Sequence, residues 1–337
     1  MQPAAAGGGW WGPCLEAPRR RYYSAVSKTD PHKPILGWDL GGTTCAAVVA
    51  EGGGTVLARA DWPSRAERGP GAMLEDFLAR AHGFLDAHRG IEVLGVAVGG
   101  PMNPNTAEVL SPPHLPGWDR VSLGKILRER LGLEVIVEHD AAACLLAEWL
   151  WGAARRCSGA IYLTMGTGCG AGIMADRRIL RGPAGQSPEV GHIRLGDYGP
   201  ELFGKVGSVE SFCSGQGIGL LAGHMFPREF SSPITARELS RLEGEGNQAA
   251  RAVLAESARR TGQLCALLAD IFSPEVIILG SLARYLDEWW TEAIRAEFGR
   301  EALPTNAQGT RIVPAELGEF LGDLSSIAPC VFRRQSR

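Results

Sequence analysis

The chain has 337 residues, 45% hydrophobic and 21% charged, with a net charge of −3. A single core stops growing at about 250 to 300 residues, so this length fits two lobes. The near-neutral charge excludes a basic field for nucleic acid or anionic membrane, and no apolar run approaches the roughly 18 residues that span a bilayer.

Residues 1–33 carry a WW pair and an RRR triplet among Gly, Pro and Ala, without any period. Polar residues follow the arginines, which excludes a twin-arginine signal. The stretch reads as a disordered extension or a start codon set too early. The cysteines Cys14, Cys45, Cys144, Cys157, Cys169, Cys213, Cys265 and Cys330 are scattered, with no CxxC. They read as reduced, mostly buried thiols of a cytoplasmic protein.

From Lys33 onward, elements alternate regularly. Ile35–Leu40 reads as a strand, Thr43–Ala50 as its hairpin partner and Thr55–Ala60 as a third strand after a glycine turn. Residues 71–89 carry apolar residues at helical spacing, and Val93–Val98 is a buried strand ended by Gly99 and Gly100. Leu123–Leu131 reads as a helix, Glu134–Glu138 as a strand and Ala141–Trp151 as a helix. Strand Ala160–Met165, a glycine turn and strand Ala171–Ala175 then repeat the opening pattern. Helices follow at about 208–223, 246–272 and 282–298, with strand Val276–Leu279 between the last two and a final helix over Pro314–Ile327. Alternating strands and helices, with the strand–turn–strand unit used twice, predict an α/β fold of two related halves.

Five stretches carry candidate chemistry. In DLGGTT (39–44) a glycine hairpin lets backbone N–H groups and threonine hydroxyls approach a phosphate. A carboxylate beside such a turn makes sense as a holder of Mg²⁺, which takes one or two carboxylates plus phosphate oxygens. The competing reading of Asp39 is an Asx-type residue in a tight turn. GTGCGAG (166–172) reads as a second phosphate hairpin, since no GxxxxGK[ST] motif exists and a strand rather than a helix follows. Asp140 opens a helix after a buried strand; it is either an N-cap or a general base, and the sequence alone does not separate the two. PEVGH (188–192) with Glu210 gives carboxylates and an imidazole suited to sugar hydroxyls. A metal site is the rival, opposed by the lack of a Cys or His pair at ligand spacing. FSPEVIILGS (272–281) is a plain buried strand or one wall of an adenosine pocket.

Taken together and in order, these stretches resemble the ROK family of sugar kinases, within the actin-like ATPase and hexokinase superfamily. The resemblance runs from about Ile35 to about Leu324 and adds LGVAVGGPMNPNTAEVL, SPPHLPGW, EHDAAA and GSVESFCSG to the motifs above. It implies two actin-like, ribonuclease H-like lobes around a cleft. The small lobe would be 34–139 plus about 312–330, and the large lobe 140–311. It implies glucokinase-like transfer of the γ-phosphate of Mg-ATP to a hexose hydroxyl, O6, with an N-acetylhexosamine or a non-catalytic regulator as alternatives. Asp140 would be the base. Asp39 (through Mg²⁺), Gly41, Gly42, Thr43, Thr44, Thr167, Gly168, Gly170 and Gly280 would serve ATP. Gly100, Asn103, His114, His139, Glu189, His192 and Glu210 would serve the sugar. A homodimer is implied as well, with neither nucleic acid nor membrane as a partner.

Three departures from the family pattern stand out. The CxCGxxGC stretch that binds structural zinc is replaced by DYGPELFGKVGSVES, so no zinc is expected. His114 stands for the asparagine of the sugar loop, and HDAA for NDAN, which changes how hydroxyls are read because imidazole and amide differ in donors and acceptors. The final helix reads SSIAPCVFRR where small residues are usual. The regulators of the family carry a helix-turn-helix, for which residues 1–33 are too few and too aperiodic.

Overall fold

Long apolar runs form the first sheet because both of its faces are covered. A computed structural model describes residues 32–335, so the reading of 1–33 as an extension falls almost wholly outside the described residues. Strands β1 (Ile35–Leu40), β2 (Thr44–Ala50) and β3 (Val56–Pro63) lead to helix α1 (Gly69–Ala87) and strand β4 (Val93–Val98). A ribbon of β5 (Met102–Asn103) and β6 (Glu108–Val109), helix α2 (Leu123–Leu131) and β7 (Glu134–His139) complete this part. The sheet order is β3-β2-β1-β4-β7, antiparallel through β3, β2 and β1 and parallel from β1 to β7.

The chain then builds the same sheet again. Helix α3 (Asp140–Trp151) is followed by β8 (Ala160–Met165), β9 (Cys169–Ala175) and β10 (Arg178–Ile179), then the ribbon β11 (Glu201–Leu202) and β12 (Lys205–Val206). Helices α4 (Val209–Cys213), α5 (Gly215–Met225), α6 (Ala236–Gly244) and α7 (Gln248–Phe272) precede β13 (Val276–Leu279). Helices α8 (Glu288–Glu301) and α9 (Pro304–Gly309), strand β14 (Arg311–Pro314) and helix α10 (Leu321–Gln335) end the chain. The second order, β10-β9-β8-β13-β14, carries the same antiparallel and parallel sequence of pairings. The expected two halves are therefore present as two copies of one sheet topology.

Alternation along the strands sorts the core into three parts. Leu36, Trp38 and Leu40 face α1 and α2, where Trp38 stacks on Phe77 with centroids 4.1 Å apart. Ile161, Leu163 and Met165 face α4 to α8 on the far side of the second sheet. Between the sheets, Ile35, Val48, Tyr162 and Ile278 close on α3 and α10. Helix α10 rests on Gly37 and Gly95, which pair in register. A Cβ on Gly37 would stand 2.0 Å from Ser326 Oγ, and one on Gly95 2.0 Å from Ser326 O. Ser326 of SSIAPCVFRR thus fills a saddle that admits only small groups.

Several elements differ from the sequence reading, four of them in ways that shape the fold. The helix expected over 208–223 is broken at Ser214, whose hydroxyl caps α5 by accepting from Gly217 N–H at 2.8 Å. The helix expected over 282–298 is a 3-10 turn at Ser281–Arg284 followed by α8. Helix α6 lies in a stretch with no reading. The segment expected as a helix from Pro314 begins as β14, because Arg311–Pro314 pair with Val276–Leu279 on the second sheet. The chain returns to the first sheet from Leu321, not from about 312.

Candidate active site

The first glycine hairpin closes tightly. A Cβ on Gly41 would stand 2.5 Å from Thr44 O, and one on Gly42 2.6 Å from His114 O, so the SPPHLPGW loop lies directly on the turn. Ser64 holds the hairpin from outside, its N–H donating to Thr43 O at 2.9 Å and its hydroxyl to Gly42 O at 2.5 Å. Thr43, Thr44 and His114 are exposed.

Asp39 lies near the end of β1. Burial above all, then Asp140 and Asp323, push its carboxyl up to about 7, with Arg59 opposing. Arg59 is bound instead to Asp323 of α10, its Nε donating to Oδ2 at 2.9 Å. A Cβ on Gly322 would stand 3.1 Å from Asp39 Oδ2, so the first turn of α10 also closes on Asp39. The sequence reading missed Asp323 and Arg59; their only signal was the acid in LGDLSS, which follows no motif.

Asp140 is the first residue of α3, at the C-terminal end of a parallel strand, where α/β sites are built. Its Oδ1 accepts from Ala141 N–H at 2.6 Å, while its side chain remains 40% exposed. Oδ2 faces the end of β4: a Cβ on Gly99 would stand 3.8 Å from it. Asp140 is thus not the N-cap of α3, a position held by His139; one of its oxygens is tied to Ala141 N–H and the other is open.

Next to it, His139 is buried between the two lobes. A Cβ on Gly100 would stand 2.9 Å from its Nε2 and 3.7 Å from Glu189 Oε1, and a Cβ on Gly170 would stand 3.9 Å from its Cε1. Behind it, Glu138 accepts from His139 N–H at 2.8 Å and forms a buried ion pair with Arg181.

The second glycine hairpin is latched to the sugar-side candidates. Glu210 Oε2 accepts from Cys169 N–H at 2.8 Å, and a Cβ on Gly168 would stand 3.0 Å from Oε1. A Cβ on Gly191 would stand 2.3 Å from Cys169 O and 2.9 Å from Glu210 Oε2, which explains the glycine of PEVGH. Burial first, then Glu189, raise the Glu210 carboxyl to about 7, against the Cys169 bond.

Along α5, from Thr167 at its N-terminal end toward Gly223, lies a cavity of about 680 Å³. Gly215 N–H donates to Gly166 O at 2.7 Å, which sets this helix on the hairpin. Ser281, the last residue of FSPEVIILGS, lines the cavity, as do Gln216, Tyr285 and Arg237, which were not found from the sequence.

The structure thus joins Asp39, Asp140, His139, Gly100, Glu189, Glu210, Gly168 and Gly170 by direct proximity, with Gly41, Gly42, Thr43, Thr44 and His114 on the first hairpin. Gly280 is buried at the base of the second hairpin, where a Cβ would stand 2.5 Å from Leu163 O. Asn103 Oδ1 accepts from Asn105 N–H at 2.9 Å. His192 is exposed, its ring 6.3 Å from that of Phe203 and its carbonyl accepting from Lys205 Nζ at 2.6 Å. The segment 197–211 carries the ribbon, and the Arg260 guanidinium lies 5.0 Å from the ring centroid of its Tyr198. Among the described residues, no group of three or more His, Cys, Asp or Glu could hold a metal, and no helix is long and apolar enough to cross a membrane.

Residues 35–325 match the family model described as ROK family. A glucokinase of Thermotoga maritima is 29% identical over 315 residues, covering 88% of this chain and 96% of that protein. A xylose repressor of Caldicellulosiruptor bescii is 28% identical over 251 residues, 71% of this chain; the match spans only 62% of the repressor's length. Among solved structures, a ROK hexokinase from Thermus thermophilus is 31% identical, with a TM-score of 0.75 over 88% of this chain and 97% of that one.

Proposed function

The chain belongs to the ROK family, and we propose that it is an ATP-dependent sugar kinase, built on two actin-like ATPase lobes. It transfers the γ-phosphate of ATP to a hexose hydroxyl, O6, with glucose as the first substrate and an N-acetylated hexosamine as the second. The observation that carries this reading is Asp140, with one oxygen tied to Ala141 N–H and the other open beside Gly99, between two glycine hairpins.

In this reading the cavity along α5 takes the nucleoside, and the two hairpins take the phosphates through Gly41, Gly42, Thr43, Thr44, Thr167 and Gly168. Glu189 and Glu210 hold sugar hydroxyls, together with Gly100, Asn103, His114 and His192 at the rim. Asp140 Oδ2 accepts the proton of the attacking hydroxyl. The sugar oxygen then bonds the γ-phosphorus, and the bond to the oxygen of ADP breaks. The lobes exclude water, which limits hydrolysis.

The negative charge around Asp39 favours a cation brought in with the phosphates, not one held by a cluster of protein ligands. Asp140 and Asp323 raise the proton affinity of Asp39, and only Arg59 opposes them, so an added cation relieves an excess of negative charge. Asp39 would hold Mg²⁺, which when bound neutralises phosphate charge. A cytoplasmic homodimer completes the proposal, and sedimentation tests that assembly.

A coupled ADP-release assay over glucose, mannose, fructose, allose, N-acetylglucosamine and N-acetylmannosamine tests the reading. Sugar-dependent ADP release is the expected result; none with any sugar rejects it. The second reading, a sugar-responsive regulator, draws on the match to the xylose repressor and requires gel shifts with operator DNA.

A further inference from the structure

His139 is 8% exposed at its side chain, and its Nδ1 is buried without a hydrogen-bond partner. That nitrogen lies 3.5 Å from Asp140 Oδ1, just beyond the ordinary 2.7–3.2 Å of an N–H···O bond. His139 is also the N-cap residue of α3, yet its ring makes no capping bond. Its backbone N–H is bound to Glu138, itself paired with Arg181. The opposite edge, Nε2, meets the Gly100 corner that Glu189 Oε1 also approaches.

We propose that His139 acts as the Nδ1–H tautomer, positioning Asp140 through Oδ1 and offering Nε2 as an acceptor to a substrate hydroxyl. A neutral imidazole donates from one nitrogen and accepts at the other. A lone pair on Nδ1 would face the Asp140 carboxylate oxygen, two acceptors together. A proton there turns this repulsion into a charge-assisted bond. Oδ1 is then fixed by two donors, Ala141 N–H and His139 Nδ1–H, which leaves Oδ2 as the base. The tautomer makes Nε2 an acceptor beside the Glu189 carboxylate. The Gly100 corner therefore selects a ligand that donates, such as a polyol hydroxyl or an amide N–H. Apo contacts of this kind commonly tighten in the substrate complex.

The consequence for catalysis rests on the kinase reading; the tautomer does not. The test is long-range ¹H–¹⁵N NMR on the full chain with labelled histidine, the His139 signals being those lost in His139→Asn. The expected result is a protonated Nδ1 and a lone-pair Nε2, with the preference lost in Asp140→Ala. An Nε2–H tautomer in the unaltered protein overturns the proposal. Turnover of glucose and N-acetylmannosamine gives the second readout. His139→Phe, which keeps the bulk but donates nothing, should lose about tenfold in kcat, the size of one hydrogen bond, at unchanged KM for ATP. His139→Asn, whose amide can still donate, should recover most of that loss. An unchanged kcat in His139→Phe, or a loss that asparagine does not rescue, overturns it. Failure of all sugar turnover would reject the kinase reading alone.

Discussion

The carbonyl oxygen of Ala141 occupies the space beside Gly172: a Cβ on that glycine would stand 2.3 Å from it. This contact seats the helix that begins with Asp140 on the strand that follows the second glycine hairpin. A methyl there forces α3 away from β9. Gly172→Ala should lower stability by about 1–3 kcal/mol, as overpacked cores do, and kcat should fall with it. Gly83→Ala in α1, where a Cβ meets nothing within 4 Å, should instead stabilise by up to about 1 kcal/mol. Thermal melts and kcat for both variants check this.

Glu210 makes stability depend on pH. Its carboxyl is raised from 4.5 to about 7, so between those values the folded protein keeps a proton that the unfolded chain releases. Its contribution is complete below about 4.5 and is lost as pH rises through about 7, on the order of 3 kcal/mol in all. Glu210→Gln retains an acceptor for Cys169 N–H and removes the titration. Melting temperatures at pH 5 and pH 8 should differ less in the variant than in the unaltered chain.

Much of this arrangement was legible in the sequence, for physical reasons. Strands buried on both faces are continuous apolar runs, so Ile35–Leu40, Val93–Val98, Ala160–Met165 and Val276–Leu279 have the same bounds in sequence and structure. The hairpins announced themselves through glycines that no side chain can replace, such as Gly41. What stayed hidden depends on contacts distant in sequence. Asp323 reaches Arg59 across 264 positions, and the serine of α10 acquires meaning only against Gly37 and Gly95. The cavity along α5 is lined from four segments; Gly166, Thr167, Gly215 and Ser281 belong to motifs, but the stretch 230–237 with Arg237 has none.

Asp39 should separate stability from function. Its carboxyl is held near 7 by burial and by Asp140 and Asp323, so its charge is unfavourable in the empty protein at higher pH. Asp39→Asn should melt higher than the unaltered chain at pH 8 without nucleotide. The same variant should need more Mg²⁺ for half-maximal rate, with sugar binding unchanged. Melts and an Mg²⁺ titration of the rate measure both effects.

Tyr285 should matter to the nucleotide alone. Its half-exposed ring carries the Arg237 guanidinium 4.5 Å from its centroid, and both line the cavity along α5. Such a stacked pair offers a flat wall to a base. Tyr285→Ala should raise KM for ATP about tenfold, on the scale of one stacking contact, and leave KM for the sugar unchanged. Steady-state kinetics with each substrate varied in turn decide it.

The central claim is that Asp140 removes the proton from the attacking hydroxyl. Its most direct measurement is single-turnover phosphoryl transfer by Asp140→Asn with ATP and the preferred sugar, beside calorimetric binding of each. The account predicts transfer reduced by about 10² to 10⁴, with ATP and sugar still bound. Transfer at the unaltered rate in Asp140→Asn would contradict it.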